Sequence, residues 1–306
     1  MSAQDGWLRH AALAWRVVAG RGDLWLPGAL AAVTYLAWLP LIITVAATPR
    51  TSDLAFLGAG LLGSALFPLN VFLIATLVAL GVLIACLLAA LAEASLLRAS
   101  GLGTPGRSFT RELEVTFSVM LVAALPAVAL GAALISGIAA VAPAEWGSPD
   151  FGVPLAVRIA LRLAPLLAAF AVVAWLGQAF GAVALRRAMG RDSLPVGEAM
   201  KAALRDLIRQ PMRRLGLALT SFLTDLLAVA LAVVLLRALW APIGADLAGG
   251  QLVSPTALLL LVGFVAIWLS VTLIFGALHV WFSTWWSLEI GVPDAGVAPE
   301  RLEAQP

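Results

Sequence analysis

Charge is what this sequence has least of. Asp, Glu, Lys and Arg make up 12% of its 306 residues, about half the share in an ordinary water-soluble domain. With 62% hydrophobic residues and a mean hydropathy of +1.02, there is too little polar surface to cover a soluble globule and too much apolar sequence for a disordered chain. Cysteine is confined to Cys86, inside an apolar run, so an intramolecular disulfide and a cysteine-built metal centre are both excluded. Two histidines cannot make a histidine-rich metal site, and HExxH, a Walker A loop and GxSxG are all missing. The sequence therefore implies no metal, no cofactor, no catalytic residue and no nucleic-acid partner, and it reads as a non-enzyme. Residues 101–106 match GxGxxG letter by letter, but they follow a membrane helix rather than a strand and read as a turn.

What is present is a series of long apolar runs. Leu24 to Pro49 is an uncharged run of 26 residues, Val115 to Ala144 one of 30 and Leu163 to Leu185 one of 23, each enough for a spanning helix of about 20 residues. The first exceeds the roughly 7–15-residue core of a secretory signal and reads as a span. From Leu215 to Trp240 a fifth span is interrupted only by Asp225 and Arg237. Two further runs, Leu54 to Ala92 and Leu247 to Leu288, are too long for one helix and cramped for two, so one span is expected in each, over 71–97 and 256–288. The surplus at 54–70, with its glycines and Pro68, reads as a broken or re-entrant piece. The surplus around 248–255 reads as a loop. The expected fold is all-α: a polytopic membrane protein of six transmembrane helices.

The few charges orient it. Placing the N-terminus inside puts fifteen of the nineteen basic residues on the cytoplasmic side and leaves Arg50, Arg158, Arg162 and Arg237 opposite. The positive-inside rule thus favours an N-in/C-in, multi-pass topology in the cell inner (cytoplasmic) membrane. Eight of the basic residues fall between Arg186 and Arg214 against three acidic ones, a net +5. Here Arg186, Arg187, Lys201, Arg205, Arg209, Arg213 and Arg214 are candidates for contact with anionic lipid or an acidic partner, while simple topology determination accounts for the same charges.

The ends of the second, fourth and sixth spans look alike: Ser95 to Gly101, Leu185 to Gly190 and Trp286 to Gly291, each followed by a proline at 105, 195 or 293. Amphipathic segments precede the first span (Trp7, Ala11, Trp15 and Val18 on one stripe, Arg9 and Arg16 off it) and the fifth (Val196, Met200, Ala203, Leu204, Leu207 and Ile208 opposite Lys201, Arg205 and Arg209). Residues 1–290 thus read as a single membrane domain. It is built of three parallel hairpin repeats with interfacial amphipathic helices, about 1–101, 102–190 and 191–291, followed by a disordered cytoplasmic tail at 292–306. Trp281, Trp285 and Trp286 fall where headgroup-anchoring aromatic belts belong.

The Gly190 to Leu204 segment entering the fifth span, with the Leu8 to Leu26 entry, resembles a broad bacterial group of six-helix membrane proteins, including the membrane domain fused to some glycerophosphodiester phosphodiesterases. No phosphodiesterase domain accompanies it here, so the resemblance implies only an accessory or uncharacterised membrane role.

Ionisable side chains inside hydrocarbon are functional or paired. Asp225, eleven residues past Arg214, falls about 16 Å deep, close to the midplane. His279 and Gln178 reach about 15 Å and 12 Å from the same face, and Glu93 about 7 Å, shallow enough to snorkel. Thr220, Ser221 and Thr224 place hydroxyls beside Asp225. One reading is a proton or cation site of a small transporter or permease at Asp225, His279 and Gln178. The other is interhelical glue, favoured by the GxxxG pair Gly177 and Gly181 around Gln178. The sequence-level expectation is a non-catalytic accessory, assembly or scaffold component that engages the lipid bilayer, a membrane-protein partner or a second copy of itself. The transporter is the alternative.

Overall fold

The computed structural model describes residues 3–45, 60, 63–99, 108–146, 155–190, 194–248 and 255–291, and among them every regular element is a helix. In order these are α1 (Ala3–Gly20), a 3-10 turn (Gly22–Leu24), α2 (Trp25–Tyr35), α3 (Trp38–Val45), α4 (Leu69–Ala99), α5 (Phe109–Trp146), α6 (Leu155–Arg162), α7 (Ala164–Met189), α8 (Val196–Arg209), α9 (Pro211–Ala248) and α10 (Pro255–Gly291). Pro211 and Pro255 open α9 and α10, where a missing N–H costs nothing and a fixed φ helps.

Five of these, α4, α5, α7, α9 and α10, are long and apolar enough to cross a bilayer. The chain is a multi-pass helical membrane protein. The run from Leu24 to Pro49 is not a straight rod: its two helical pieces bend by 48°, and counting them as one broken span brings the number to six. The break has a local cause. Pro40 has no amide to offer the Leu36 carbonyl, which accepts the Leu39 N–H at 3.2 Å instead. The Leu36 and Ala37 amides both fall on the Ala32 carbonyl, at 2.8 and 2.9 Å. The Ala37 carbonyl is met from the far end of the sequence, by the Trp268 indole N–H at 3.0 Å. Pro165, two residues past Leu163, likewise separates α6 from α7.

The described residues form two compact units. One comprises 1–46, 86–120 and 179–306, the other 47–85 and 121–178, so the units cut across the first two of the three repeats read from the sequence. In the first unit α10 is the hub, packing on α1, α2 and α9, while α9 also meets α3 and α8. Without a hydrophobic drive between helices in lipid, close approach of small residues has to hold them. The tightest crossing is α2 on α10. A Cβ on Gly28 would run into the Gly276 carbonyl and come within 2.6 Å of Val280, and one on Gly276 would lie 2.8 Å from the Ala29 Cα and the Trp25 carbonyl oxygen. In the second unit, Gly177 does the same service, its hydrogen facing the Ala123 carbonyl where a Cβ would sit at 2.8 Å.

Of residues 54–70, 60 and 63–70 are described: a turn carrying the cis Phe67-Pro68 bond leads into α4. The remainder of the expected re-entrant piece, the turn at 101–106, most of the 248–255 loop and the tail at 292–306 lie outside the described residues.

Gly276→Ala is expected to lower the stability of the detergent-solubilised protein by about 1–3 kcal/mol through overpacking. Gly263→Ala, on the same helix with open space around it, should leave stability unchanged or slightly raised; thermal melts of the two variants make the comparison.

Candidate functional site

Polar groups of the first unit gather toward the end where α4, α7 and α10 finish. Glu93 on α4 is buried there, and both its oxygens are satisfied. Oε1 accepts Arg186 Nη2 at 2.9 Å and the Ser283 hydroxyl at 2.9 Å, while Oε2 lies 3.0 Å from His279 Nε2. Arg186, from α7, spreads its guanidinium over α10: Nη2 also donates to the Ser283 Oγ (2.7 Å) and carbonyl (3.0 Å), and Nε to Ser287 Oγ at 3.3 Å. Its Nη1 returns to the Ala182 carbonyl at 3.3 Å. The side chains of Arg186 and Glu93 are only 6% and 9% exposed. The crevice beside them, lined by Leu24, Leu96, Val280, Ser283 and Thr284, has no room for a water molecule. This is a dry ion pair with its hydrogen-bonding capacity used, the condition under which a buried pair holds structure together.

A second carboxylate, Glu289, ties α1 and α9 to the end of α10. It pairs with His10 Nδ1 of α1 at 2.9 Å and with Arg213 of α9 at 2.5 Å, and its backbone carbonyl accepts Arg214 Nη1 at 3.0 Å. Around it α1 is seated on aromatic rings: Trp7 lies 4.8 Å from Trp285, Trp15 lies 5.7 Å from Trp281, and the Trp281 indole donates to the Ala11 carbonyl at 2.9 Å. Trp285 and Trp286 are buried. The α10 tryptophans expected to anchor at headgroups therefore receive α1, because its buried face carries alanine and valine (Ala14, Val18) and leaves room for indoles. Trp15 is half-exposed, on the edge of the stripe rather than within it.

The seven basic residues expected to meet lipid or a partner divide. Arg186 and Arg214 are buried, each turned inward by acceptors on α10, and they leave the lipid-facing set. Arg187 is held by Asp206 of α8 at 2.6 Å, and Arg213 by Glu289. Lys201, Arg205 and Arg209 are exposed on α8.

Of the intramembrane residues, Asp225 and His279 come together. Ala228 and Val229 of α9 pack in one cluster with Phe275 and Leu278 of α10. One helical turn along each antiparallel helix brings Asp225 and His279 opposite each other, within electrostatic reach. Among the described residues Asp225 makes no hydrogen bond or ion pair. The hydroxyls expected beside it bond their own helix instead: Thr224 to the Thr220 carbonyl, Thr220 to Gly216 and Ser221 to Ala218. Gln178 is exposed and belongs to the second unit. Glu93 does not snorkel, because Arg186, His279 and Ser283 offer it a better set of donors inside. Sequence reasoning named Arg186 only as a lipid or partner contact and missed it as the counter-ion of Glu93. No family model matches the chain, and no curated protein or solved structure is significantly similar to it.

Arg186→Met should cost on the order of 3–5 kcal/mol by leaving Glu93 charged and unpaired in a dry site. The double variant Glu93→Gln/Arg186→Met should recover much of the loss. Melting temperatures of the unaltered protein, the two single variants and the double variant in one detergent check this; a double variant as unstable as the sum of the singles contradicts it.

Proposed function

We propose that the chain is a non-catalytic component of the cell inner membrane, an accessory or scaffold protein. Its cytoplasmic interfacial helices engage anionic lipid headgroups and, through them or beside them, a membrane partner. The observation that carries the reading is the outward face of α8. The helix is docked by its small side, with Ala199 and Ala203 fully buried, and by the Arg187–Asp206 pair. Lys201, Leu204, Arg205, Ile208 and Arg209 are left on the opposite face, with Leu204 55% and Ile208 70% exposed. Large apolar side chains interleaved with cations suit a helix lying in the headgroup layer, its hydrocarbon below the phosphates and its charges among them. Glu198, whose carboxyl is held below the usual glutamate value by Lys201 at 2.9 Å, keeps one of these cations locally paired. The face of α1 repeats the pattern with Leu8 beside Arg9 and Trp15 beside Arg16, all exposed. N-in/C-in orientation, with both helices in the cytosol, and the three hairpin repeats belong to the same proposal. Their support is the positive-inside count and the meeting of Glu93, Arg186 and Ser283, one from each repeat.

Purification in mild detergent followed by lipid analysis and native mass measurement is the test. The expected result is enrichment of anionic lipid or a co-purifying subunit; a bare monomer with bulk lipid composition overturns the reading. Neutralising Lys201, Arg205 and Arg209 together to Gln should weaken binding to anionic headgroups by about 1 kcal/mol per residue, on the order of a hundredfold in all. The remaining affinity should depend less steeply on salt than that of the unaltered protein.

A further inference from the structure

The lipid-facing helices make no use of the ionisable pair inside the bundle. Asp225 lies in the middle of the spanning helix α9 without a hydrogen bond or ion pair among the described residues, half-buried, where a free carboxylate is costly. The elements packed against α9 in the described residues bring it a single candidate charge. Of α2 and α3, neither contains an acidic or basic residue, and the charged residues of α8 are two or more helical turns nearer the chain's Arg-rich end. From α10 comes His279. That imidazole is in turn faced by Glu93 of α4 through Nε2 at 3.0 Å, while Arg186 of α7 neutralises Glu93. On α1, which also packs on α10, Arg16 follows the Trp15 that meets Trp281 and is exposed, while His10 is engaged with Glu289 almost three turns from His279.

We propose that Asp225 and His279 form a proton-binding site within the membrane, in which one exchangeable proton is shared between the carboxylate and the imidazole. The charge balance defines it. Glu93 and Arg186 cancel permanently, so the set is neutral when Asp225 and His279 hold one proton between them, whichever of the two carries it. The two one-proton forms differ only in where the proton sits, on an Asp225 carboxyl oxygen beside a neutral imidazole or on His279 Nδ1 beside the Asp225 carboxylate, so that passing from the first to the second breaks one O–H bond and forms one N–H bond. The Nε2 hydrogen stays on the ring, donated to Glu93, in both. Glu93 is the positioning residue that fixes the ring, and the ligand is the proton itself. A proton placed on either group removes the unpaired charge that hydrocarbon disfavours, which explains why an aspartate with no fixed partner persists at this depth. The site is independent of the lipid-facing surface, and failure of one leaves the other standing.

Infrared difference spectroscopy on the full chain in lipid nanodiscs, scanned from mildly acidic to mildly alkaline pH, reads the site directly. The expected result is a protonated-carboxyl C=O band that titrates with pH, is lost in Asp225→Asn and shifts its titration in His279→Gln. No such band at any pH, or one indifferent to His279→Gln, overturns the proposal. So does a band whose titration moves with sodium concentration, because the site then binds a metal cation rather than a proton. Since a variant can fail on folding alone, ring-nitrogen chemical shifts of His279 in the unaltered protein give an independent reading. A pH-dependent change of Nδ1 with Nε2 still protonated is expected, and an Nδ1 that never changes state refutes it.

Discussion

A guanidinium and a carboxylate removed from water gain from each other only if the remaining donors and lone pairs also find partners, since the desolvation of each charge costs several kcal/mol. Glu93 and Arg186 meet that condition through α10, which supplies Ser283, Ser287 and His279 at hydrogen-bonding distance. The consequence is geometric as much as energetic. Three helix ends separated by 93 and 97 residues along the chain are held in one register, because a shift of any of them by one residue strands a charge. Helices in lipid slide easily over one another's apolar sides, where packing alone discriminates weakly. The ion pair and the glycine crossing of α2 on α10 together specify which faces meet.

The same end of the first unit shows how one sequence signal can carry two roles. Eight basic residues between Arg186 and Arg214 look uniform as a topogenic cluster. In space, Arg186 and Arg214 point into α10, Arg187 fastens α8 to α7, and Lys201, Arg205 and Arg209 face outward. Arg187 holds α8 against the bundle, and that docking determines which way the outward members face.

Much of the architecture was legible. Long uncharged runs found α4, α5, α7, α9 and α10 to within a few residues at most ends, since length and hydropathy suffice for a spanning helix. Counting residues from the Arg-rich ends also placed Asp225 and His279 at one depth, and they do face each other. Depth alone said nothing about rotation around the helix axis, which is why Gln178 was grouped with them and is instead exposed. The Glu93 partner escaped for a similar reason: by depth it had an escape to water, and nothing marked Arg186 apart from its neighbours. A signal was available in the likeness of the three span ends. Counting back from the terminal glycines at 101, 190 and 291, Glu93 and Ser283 stand eight before, and Arg186 and Ser287 four before. The polar positions of the three ends are thus complementary. The kink between α2 and α3 was marked by Pro40, which a hydropathy average passes over.

The indole of Trp268 and the carbonyl of Ala37 are 231 residues apart. A ribosome makes the α2–α3 bend long before it makes the group that completes its hydrogen bonding. Throughout synthesis of α4 to α9, the bend carries a backbone acceptor without its eventual donor. α10 therefore does more than add a layer: its arrival completes the bend that was made first.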